Sequence, residues 1–301
     1  MWRSSSSRAE AAFSRQRRTR TRSVPSATLN RWIIGEAAIV VRKLNLSLGE
    51  FKFDSAALAA YHFVWGSFCD WYLELAKPVL QGADGPERAE TRATVAWVLL
   101  RVLHLLHPFM PFVTEELWSQ FRPAGAGLLL LDPWPLDDPA LHDSAAEAEM
   151  GWVVRLVSMV RAVRAEMNVP AGARIELLMR DANATSRARL DRHADQIKTL
   201  ARLANITLDA AVPKGAAQLV LDEATLVLPL AGVIDIDAER RRLEKEIARL
   251  EGEIGKIDAK LADERFLARA PAEVVEEQRE RRAEASDTKA RLGAALARLS
   301  A

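Results

Sequence analysis

Arg101-Val-Leu-His-Leu-Leu-His-Pro-Phe-Met-Pro-Phe-Val-Thr-Glu-Glu-Leu-Trp118 is the stretch that decides how the first part of this chain folds. Up to His107, apolar residues recur at three- and four-residue steps, which predicts a helix with one buried face. Pro108 and Pro111 lack a backbone donor and restrict the residues before them to extended conformations, so this helix should end there. Thr114 stands where an N-cap would begin a second helix, whose buried face is predicted to hold Leu117, Trp118 and Phe121. The stretch therefore predicts a helix–turn–helix corner of an α-helical bundle.

Two further helical patterns precede the corner. Residues 29–44 place apolar side chains on one face, and residues 53–77 do the same with many aromatic rings. Exposed rings can stack on RNA bases, but helical spacing predicts that most of this set lies in the core: Leu58, Tyr61, Val64, Trp65, Phe68, Tyr72 and Leu75. Helices joined by short loops pack as antiparallel neighbours, so residues 28–122 are predicted to form an antiparallel helical bundle.

The periodicity changes in the middle of the chain. Residues 123–144, rich in Pro, Gly and Asp, read as a linker, and a helix follows that should bury Trp152, Val153, Leu156, Val157, Val160 and Val163. Residues 174–179, 218–221 and 224–228 have strand character, and Asp222-Glu223 should join the last two as a hairpin. With a helix from about Ser186 to Leu203, residues 145–234 are predicted to form a helix plus a small α/β module.

Three arginines of the helix before the strands, Arg155, Arg161 and Arg164, are placed off its apolar stripe. Two interpretations stay open: the guanidinium groups face RNA phosphate, or they form a solvated helix face.

Residues 235–301 show the alternating steps of four and three that define a coiled-coil seam, at Leu243, Ile247, Leu250, Ile254, Ile257 and Leu261. Pro271 cannot lie inside a continuous helix, so the chain should turn between about Arg265 and Ala272 and return as an antiparallel hairpin. Carboxylates flank the first helix and arginines flank the second near the tip, which favours pairing within the hairpin. Heptads alone favour a dimerisation or scaffolding coiled coil, and that alternative stays open.

The first helix of this hairpin also carries cations outside its seam. Because phosphate needs only a placed cation and no base edge, these are candidate RNA contacts: Arg240, Arg241, Arg242, Lys245, Arg249 and Lys256. Gly252 and Gly255 lie outside the seam as well. Each costs about 1 kcal/mol relative to alanine in a helix, so the middle of the hairpin should be its least stable part.

Composition excludes several classes of protein. Hydrophobic residues make up 49% and charged residues 28%, and the formal net charge is +1, so RNA binding would need local basic faces. A single cysteine, Cys69, excludes an internal disulfide framework and is expected to be a core thiol. No apolar run is long enough for a membrane span, and no cluster of His, Cys, Asp and Glu has metal-ligand spacing. No catalytic constellation is apparent, and neither a metal nor a membrane is predicted.

Residues 1–27 differ from the remainder, because they are rich in Arg and Ser and poor in apolar residues. This composition predicts disorder. Three origins are compatible with it: an organellar transit peptide, a basic arm for nucleic acid, or a segment that is not native coding sequence.

Several separated motifs resemble one family. His107-Pro-Phe-Met-Pro-Phe-Val-Thr-Glu-Glu-Leu-Trp118 resembles the anticodon-binding bundle of class I aminoacyl-tRNA synthetases for valine, isoleucine and leucine. Phe68-Cys-Asp-Trp-Tyr-Leu-Glu-Leu-Ala-Lys77 and Arg161-Ala-Val-Arg-Ala-Glu-Met-Asn-Val-Pro170 are similar to the valyl enzymes in particular. Arg265-Phe-Leu-Ala-Arg-Ala-Pro-Ala-Glu-Val-Val275 resembles the tip of that family's C-terminal arm. The resemblance covers roughly residues 28–301.

The resemblance implies a tRNA-binding portion, anticodon bundle plus arm, of a synthetase that attaches valine to tRNA(Val) with ATP and Mg²⁺. The family's two nucleotide-binding signature loops do not occur in the sequence, so the chain is expected to be inactive alone and to bind no cofactor itself. A monomer in the cytoplasm is expected, and a separate catalytic chain is a further candidate partner. The equivalent portion of a related synthetase and a stand-alone coiled-coil scaffold remain as alternatives.

Overall fold

The computed structural model describes residues 25–122 and 125–300. Contacts divide the chain into two compact units, the first ending at Val154 and the second beginning at Arg155. The predicted fold class is confirmed: the chain is mainly α-helical, with a bundle, one small sheet and two long C-terminal helices. Disorder was predicted for residues 1–27, and residues 1–24 of this segment lie outside the described residues.

The first unit is built from helices joined by short connections. Its elements are α1 (Thr28–Gly49), α2 (Phe53–His62), a π-helical segment (Phe63–Leu73), α3 (Glu74–Gln81), α4 (Pro86–Leu106) and α5 (Pro111–Phe121). Two 3-10 turns follow, Leu129–Leu131 and Pro139–Leu141, before α6 (Ser144–Glu166) begins. α1 packs on α2, on the π-helical segment and on α4, and α4 packs on α5. α2, the π-helical segment and α3 follow one another without a break, whereas three or four residues separate α1 from α2, α3 from α4 and α4 from α5. Helices joined by such short connections lie antiparallel.

The helix–turn–helix corner forms where it was predicted, but α5 begins earlier. Pro111 is its first residue and Met110 its N-cap, since the N–H that proline lacks is unused at that position. The predicted N-cap Thr114 is therefore wrong. Thr114 lies buried in the first turn of α5, where its hydroxyl donates to Met110 O (2.8 Å) and lies 2.7 Å from His107 Nδ1.

The buried face of α5 is narrower than predicted. Trp118 is 1% exposed and packs with Leu100, Leu103 and Leu129, whereas Leu117 is 37% and Phe121 53% exposed. Only the Thr114–Trp118 edge of α5 is covered, because α5 packs on α4 and the first 3-10 turn. The predicted burial of Leu117 and Phe121 is wrong.

In the helical region at residues 53–77, too, only some of the side chains predicted to be buried are buried. Phe68, Tyr72 and Leu75 are buried as predicted, whereas Tyr61 and Trp65 are each 56% exposed, and Leu58 is 55% exposed. A π-helical turn takes more residues than an α-helical turn, so the 3.6-residue spacing used for the prediction loses register across Phe63–Leu73. The expectation of a core Cys69 is also incorrect, because this thiol is only partly buried.

The second unit contains a four-stranded sheet in the order β2-β1-β4-β3. Its elements after α6 are β1 (Ile175–Arg180), α7 (Ala184–Ala201), β2 (Leu203–Leu208), β3 (Ala216–Leu221) and β4 (Ala224–Pro229). β1 runs parallel to β2 and antiparallel to β4. The predicted β3–β4 hairpin is confirmed, with Asp222 in the left-handed region at the turn. β2 was not predicted, because this edge strand lacks a clear alternation of buried and exposed residues.

The predicted helical hairpin closes the chain, and we call it the arm. It consists of α8 (Ile236–Ala262), a short α9 (Glu264–Arg269) at the tip and α10 (Ala272–Ser300). Leu243, Leu250 and Ile257 of the predicted seam are buried, facing a return helix whose buried residues are Ala285 and Ala295. Oppositely charged side chains pair across the hairpin, as predicted: Glu253 with Arg281 (2.7 Å), Asp258 with Arg282 (2.9 Å) and Glu251 with Lys289 (2.9 Å).

None of the helices within residues 25–122 and 125–300 is long and apolar enough to cross a membrane. The same residues contain no group of three His, Cys, Asp or Glu side chains arranged to hold a metal ion.

Candidate nucleic-acid interface

Two of the three candidate arginines of α6 are held at the surface by partners within the second unit. Arg155 forms an exposed ion pair with Asp222 at 2.8 Å. Arg161 Nε donates to the carbonyl of Leu200 at 3.0 Å. Both are exposed enough to meet a phosphate, but each would have to share or give up its present partner.

Arg164 is placed differently from the prediction. It is 8% exposed, and its Nη2 donates to the carbonyls of Pro170 (3.2 Å) and Ala173 (2.9 Å). Burial, and after it the charge of Arg202, lower the pKa of Arg164. Arg164 follows Val160 by four residues and Val157 by seven, so it lies on the buried stripe and not off it. Arg164 therefore stabilises the loop that precedes β1.

Three of the candidate cations on the arm are engaged in ion pairs. Arg242 meets Glu239 at 2.6 Å, and Arg249 meets Glu246 at 2.8 Å and Glu253 at 3.1 Å. The hydrogen bond to the neighbouring carboxylate raises the pKa of each guanidinium. Arg240 lies 4.0 Å from Asp237. RNA would compete with existing carboxylates for these three groups.

Arg241, Lys245 and Lys256 are exposed on α8. Within the described part of the chain, none of them has a hydrogen bond or an ion pair through its side chain. An exposed cation of this kind can meet a phosphate without first breaking an internal contact, so these three are the most available of the predicted RNA contacts.

The bundle offers a second kind of surface that the sequence prediction discounted. Tyr61 and Trp65, one turn apart, are each about half exposed, and the Tyr61 ring lies 5.7 Å from the His62 ring, edge to face. Phe51 and Phe53 form a second exposed pair, 6.4 Å apart. Exposed rings can stack on unpaired bases. The high density of aromatic residues between positions 51 and 65 was the sequence signal that could have predicted this surface.

Comparison with known proteins matches two regions of this chain to family models. Residues 30–179 match the family model described as the anticodon-binding domain of tRNA ligase, and residues 235–300 match the valyl tRNA synthetase tRNA binding arm. The valine–tRNA ligase of Nitrobacter winogradskyi is 44% identical, over 91% of this chain and 32% of its own length. Those of Mesorhizobium japonicum and Caulobacter vibrioides are 49% and 50% identical, each over 90% of this chain and 29% and 30% of their own lengths.

The chain belongs to the valyl-tRNA synthetase family.

Each matched region of this valyl-tRNA synthetase family member coincides with structural elements. The anticodon-binding match runs from α1 into β1, and therefore includes α6 and the buried Arg164. The arm match covers α8, α9 and α10, with Arg241, Lys245 and Lys256. The chain spans about a third of the length of the valine–tRNA ligases named above.

Proposed function

We propose that this chain binds tRNA(Val), with the bundle contacting the anticodon loop and the arm contacting phosphates elsewhere on the same molecule. The observation that carries the proposal is the joint occurrence of an anticodon-binding domain and a tRNA-binding arm. The two surfaces have the chemistry that each task requires: exposed rings for unpaired bases on the bundle, and unpaired cations for phosphate on the arm.

We infer from the family resemblance that the complete enzyme joins valine to tRNA with ATP and Mg²⁺. Neither nucleotide-binding signature loop occurs in this sequence. We therefore assign to this chain the recognition of tRNA, and assign ATP, Mg²⁺ and the chemical steps to residues that it does not contain.

A shortened arm tests the proposal better than removal of the whole arm. α10 packs on β3, and Arg298 pairs with Glu166 at the end of α6, so complete removal would disturb the second unit. Glu251 and Lys289 face each other across the hairpin at 2.9 Å. Replacing residues 252–288 with a short glycine-rich turn would therefore keep the base of the arm and delete the distal half.

The measurement is the affinity for a tRNA(Val) transcript across a salt series. We expect the shortened arm to bind more weakly and with a flatter salt dependence, by about one unit of slope per lost phosphate contact. A tRNA(Val) transcript with a replaced anticodon should lose affinity for both forms equally, since the bundle is unchanged. Identical slopes for the two forms would show that the distal arm does not contact tRNA.

A scaffolding coiled coil is the competing function, and it requires a surface for another helix. Three pairs of opposite charges beside the seam are formed within the hairpin, so we propose a monomer. Light scattering that gave a dimer, dissociated by shortening the arm, would favour the scaffold.

A further inference from the structure

The helix α8 has a face that points away from its partner α10. At about 100° per residue, Arg241, Lys245 and Lys256 fall within roughly 60° of one another, on the side of α8 opposite Leu243, Leu250 and Ile257. The structure agrees, because the three cations are exposed while the three seam residues are buried. We call the exposed side, from residue 238 to residue 260, the outer face of α8.

Small residues lie among the cations along the outer face of α8. Ala248 and Gly252 lie between the cations and Ala259 lies beyond Lys256, and all three small residues are exposed. An added methyl group at Gly252 would meet no atom within 4 Å, so the middle of the face is open. The carboxylates of α8 project toward its flanks instead, where Glu253 pairs with Arg281. A phosphate approaching the middle of the outer face therefore meets cations and small residues, and the exposed carboxylate of Glu244 lies about 60° around the helix from Arg241.

The corresponding outer face of α10 has the opposite character. Glu276, Glu280 and Asp287 are exposed on the side of α10 away from Ala285. Arg279, which lies among them, is paired with Glu276 at 3.2 Å. Phosphate would be repelled from this side of the arm.

The two faces act separately in solution. Each helix with its side chains is about 10 Å wide, so the outer faces of the hairpin lie roughly 20 Å apart. Exposed charges are largely screened beyond a Debye length, about 8 Å at physiological salt. The acidic face of α10 therefore does not cancel the field at the basic face of α8, although the charges of the whole chain sum to only +1.

We propose that the outer face of α8 is the surface of the arm that binds tRNA, that it contacts the ribose-phosphate backbone through Arg241, Lys245 and Lys256, and that the outer face of α10 stays in solvent. This proposal rests on the proposed function, because it names the side of the arm that the RNA occupies. Contacts to phosphate alone carry no base information, so binding through this face is indifferent to sequence.

One substitution can be made identically on both faces. Ala248 on α8 and Ala283 on α10 are both exposed and both in helix interiors. Ala248→Glu adds a carboxylate between Lys245 and Gly252, whereas Ala283→Glu adds the same carboxylate to the acidic side. In the full chain, Ala248→Glu should weaken binding of the tRNA(Val) transcript several-fold at low salt, and Ala283→Glu should leave it unchanged.

A second pair removes charge instead of adding it. Lys245→Gln with Lys256→Gln deletes two proposed contacts, and Arg279→Gln with Arg291→Gln deletes two charges from α10. The first pair should lower the salt slope by about two units, so that between 50 and 200 mM salt the affinity of the unchanged chain falls roughly tenfold more than that of the variant. The second pair should keep the original slope. Far-UV circular dichroism of every variant verifies that the hairpin is folded.

The outcomes separate this proposal from the proposed function. Loss of affinity in the α8 variants alone supports the outer face of α8. Loss in the α10 variants alone would move the RNA to the other side and overturn it. If all four variants bind like the unchanged chain while the shortened arm binds weakly, the face is wrong and tRNA binding by the arm stands. If the shortened arm also binds normally, contact of the distal arm with tRNA fails as well.

Discussion

Glu90 fastens the beginning of α1 to α4. Its carboxylate accepts hydrogen bonds from the backbone N–H of Ser26 (2.9 Å) and of Ala27 (3.0 Å), from the Ser26 hydroxyl (2.7 Å) and from Asn30 Nδ2 (2.9 Å). Residues 25–27, predicted as the end of a disordered segment, are therefore held in place. Asn30 is fully buried and accepts in turn from the Tyr72 hydroxyl at 2.9 Å, so the contact extends into the core of the bundle.

Glu90→Gln should destabilise the first unit, because an amide NH₂ would replace one of two oxygens that now face only donors. We expect a loss of about 1–3 kcal/mol in the free energy of unfolding. All eight tryptophans precede residue 155, so fluorescence during urea unfolding reports on the part of the chain before the second unit. Glu87→Gln, on the exposed first turn of α4, is the matched control and should unfold like the unchanged chain.

The effect of Glu90 should also depend on pH. Burial raises the pKa of its carboxyl, but the hydrogen bonds from Asn30, Ser26 and Ala27 together outweigh burial and leave the pKa below the ordinary 4.5. A lowered folded-state pKa gives stability that is present above pH 4.5 and is lost as the pH falls through the folded value. The difference between the unchanged chain and Glu90→Gln should therefore persist at neutral pH and shrink in acid. A difference that grew in acid would mean that the carboxyl is bound in its neutral form.

Single residues show where sequence reasoning succeeds and where it stops. Burial of Trp118 followed from spacing alone, whereas the contacts of Glu90 join residues 60 to 64 positions apart and leave no local pattern. Arg164 was misplaced for another reason. Periodicity arguments count apolar side chains, and the arginine on the buried stripe donates from its Nη2 to two carbonyls of a nearby loop.

Among the elements, α5 provides a direct comparison between a buried and an exposed aromatic ring three residues apart. Trp118 is 1% exposed, donates to Gly127 O at 3.0 Å and lies edge to face with His104 at 5.2 Å. Trp118→Ala should cost about 3–5 kcal/mol of the free energy of unfolding. Phe121→Ala, at a side chain 53% exposed, should change it by less than about 0.5 kcal/mol.

Urea unfolding followed by the fluorescence of the remaining tryptophans measures both α5 variants. Equal losses at the two positions would show that α5 buries the wider face that its sequence predicts. A small loss at Trp118 alone would instead mean that the corner is held by α4 and its backbone contacts, with little contribution from the indole.

Elements with a clear periodicity in their sequence were predicted correctly, and elements without one were not. The seam of α8 and the β3–β4 hairpin follow simple periods, and both are confirmed. The π-helical segment shifts the register of its own helix, and β2 is an edge strand with one paired side, so neither leaves a clear period in the sequence. The prediction of the candidate interface was affected most, because the exposure of Tyr61 and Trp65 depends on that shift in helical register.

At the scale of the whole molecule, the order of bundle, α/β module and arm was predictable, and the two family models match residues 30–179 and the arm at residues 235–300. Which of the candidate cations are unpaired was not predictable, because pairing depends on which carboxylates lie near each cation in the folded arm. Six cations outside the seam look equivalent in the sequence, and three of them are paired in the structure. The net charge of +1 does not reveal the basic face of α8, because the acidic face of α10 contributes opposite charges to the same sum.

A consequence for the whole molecule is that recognition and chemistry should be separable. Activation of valine requires groups that hold ATP, and the sequence contains neither of the two signature loops that supply them in class I synthetases. We therefore expect the 301-residue chain to bind tRNA(Val) and yet to catalyse no valine-dependent exchange of pyrophosphate into ATP above the buffer blank, with or without tRNA. The valine–tRNA ligase of Caulobacter vibrioides, 50% identical over 90% of this chain, is the positive control in the same assay. The contrary result would be valine-dependent exchange that is abolished by changing a candidate residue of the bundle, in a variant that still folds and binds tRNA. Such a result would show that this chain contains an activation site that its motifs do not reveal.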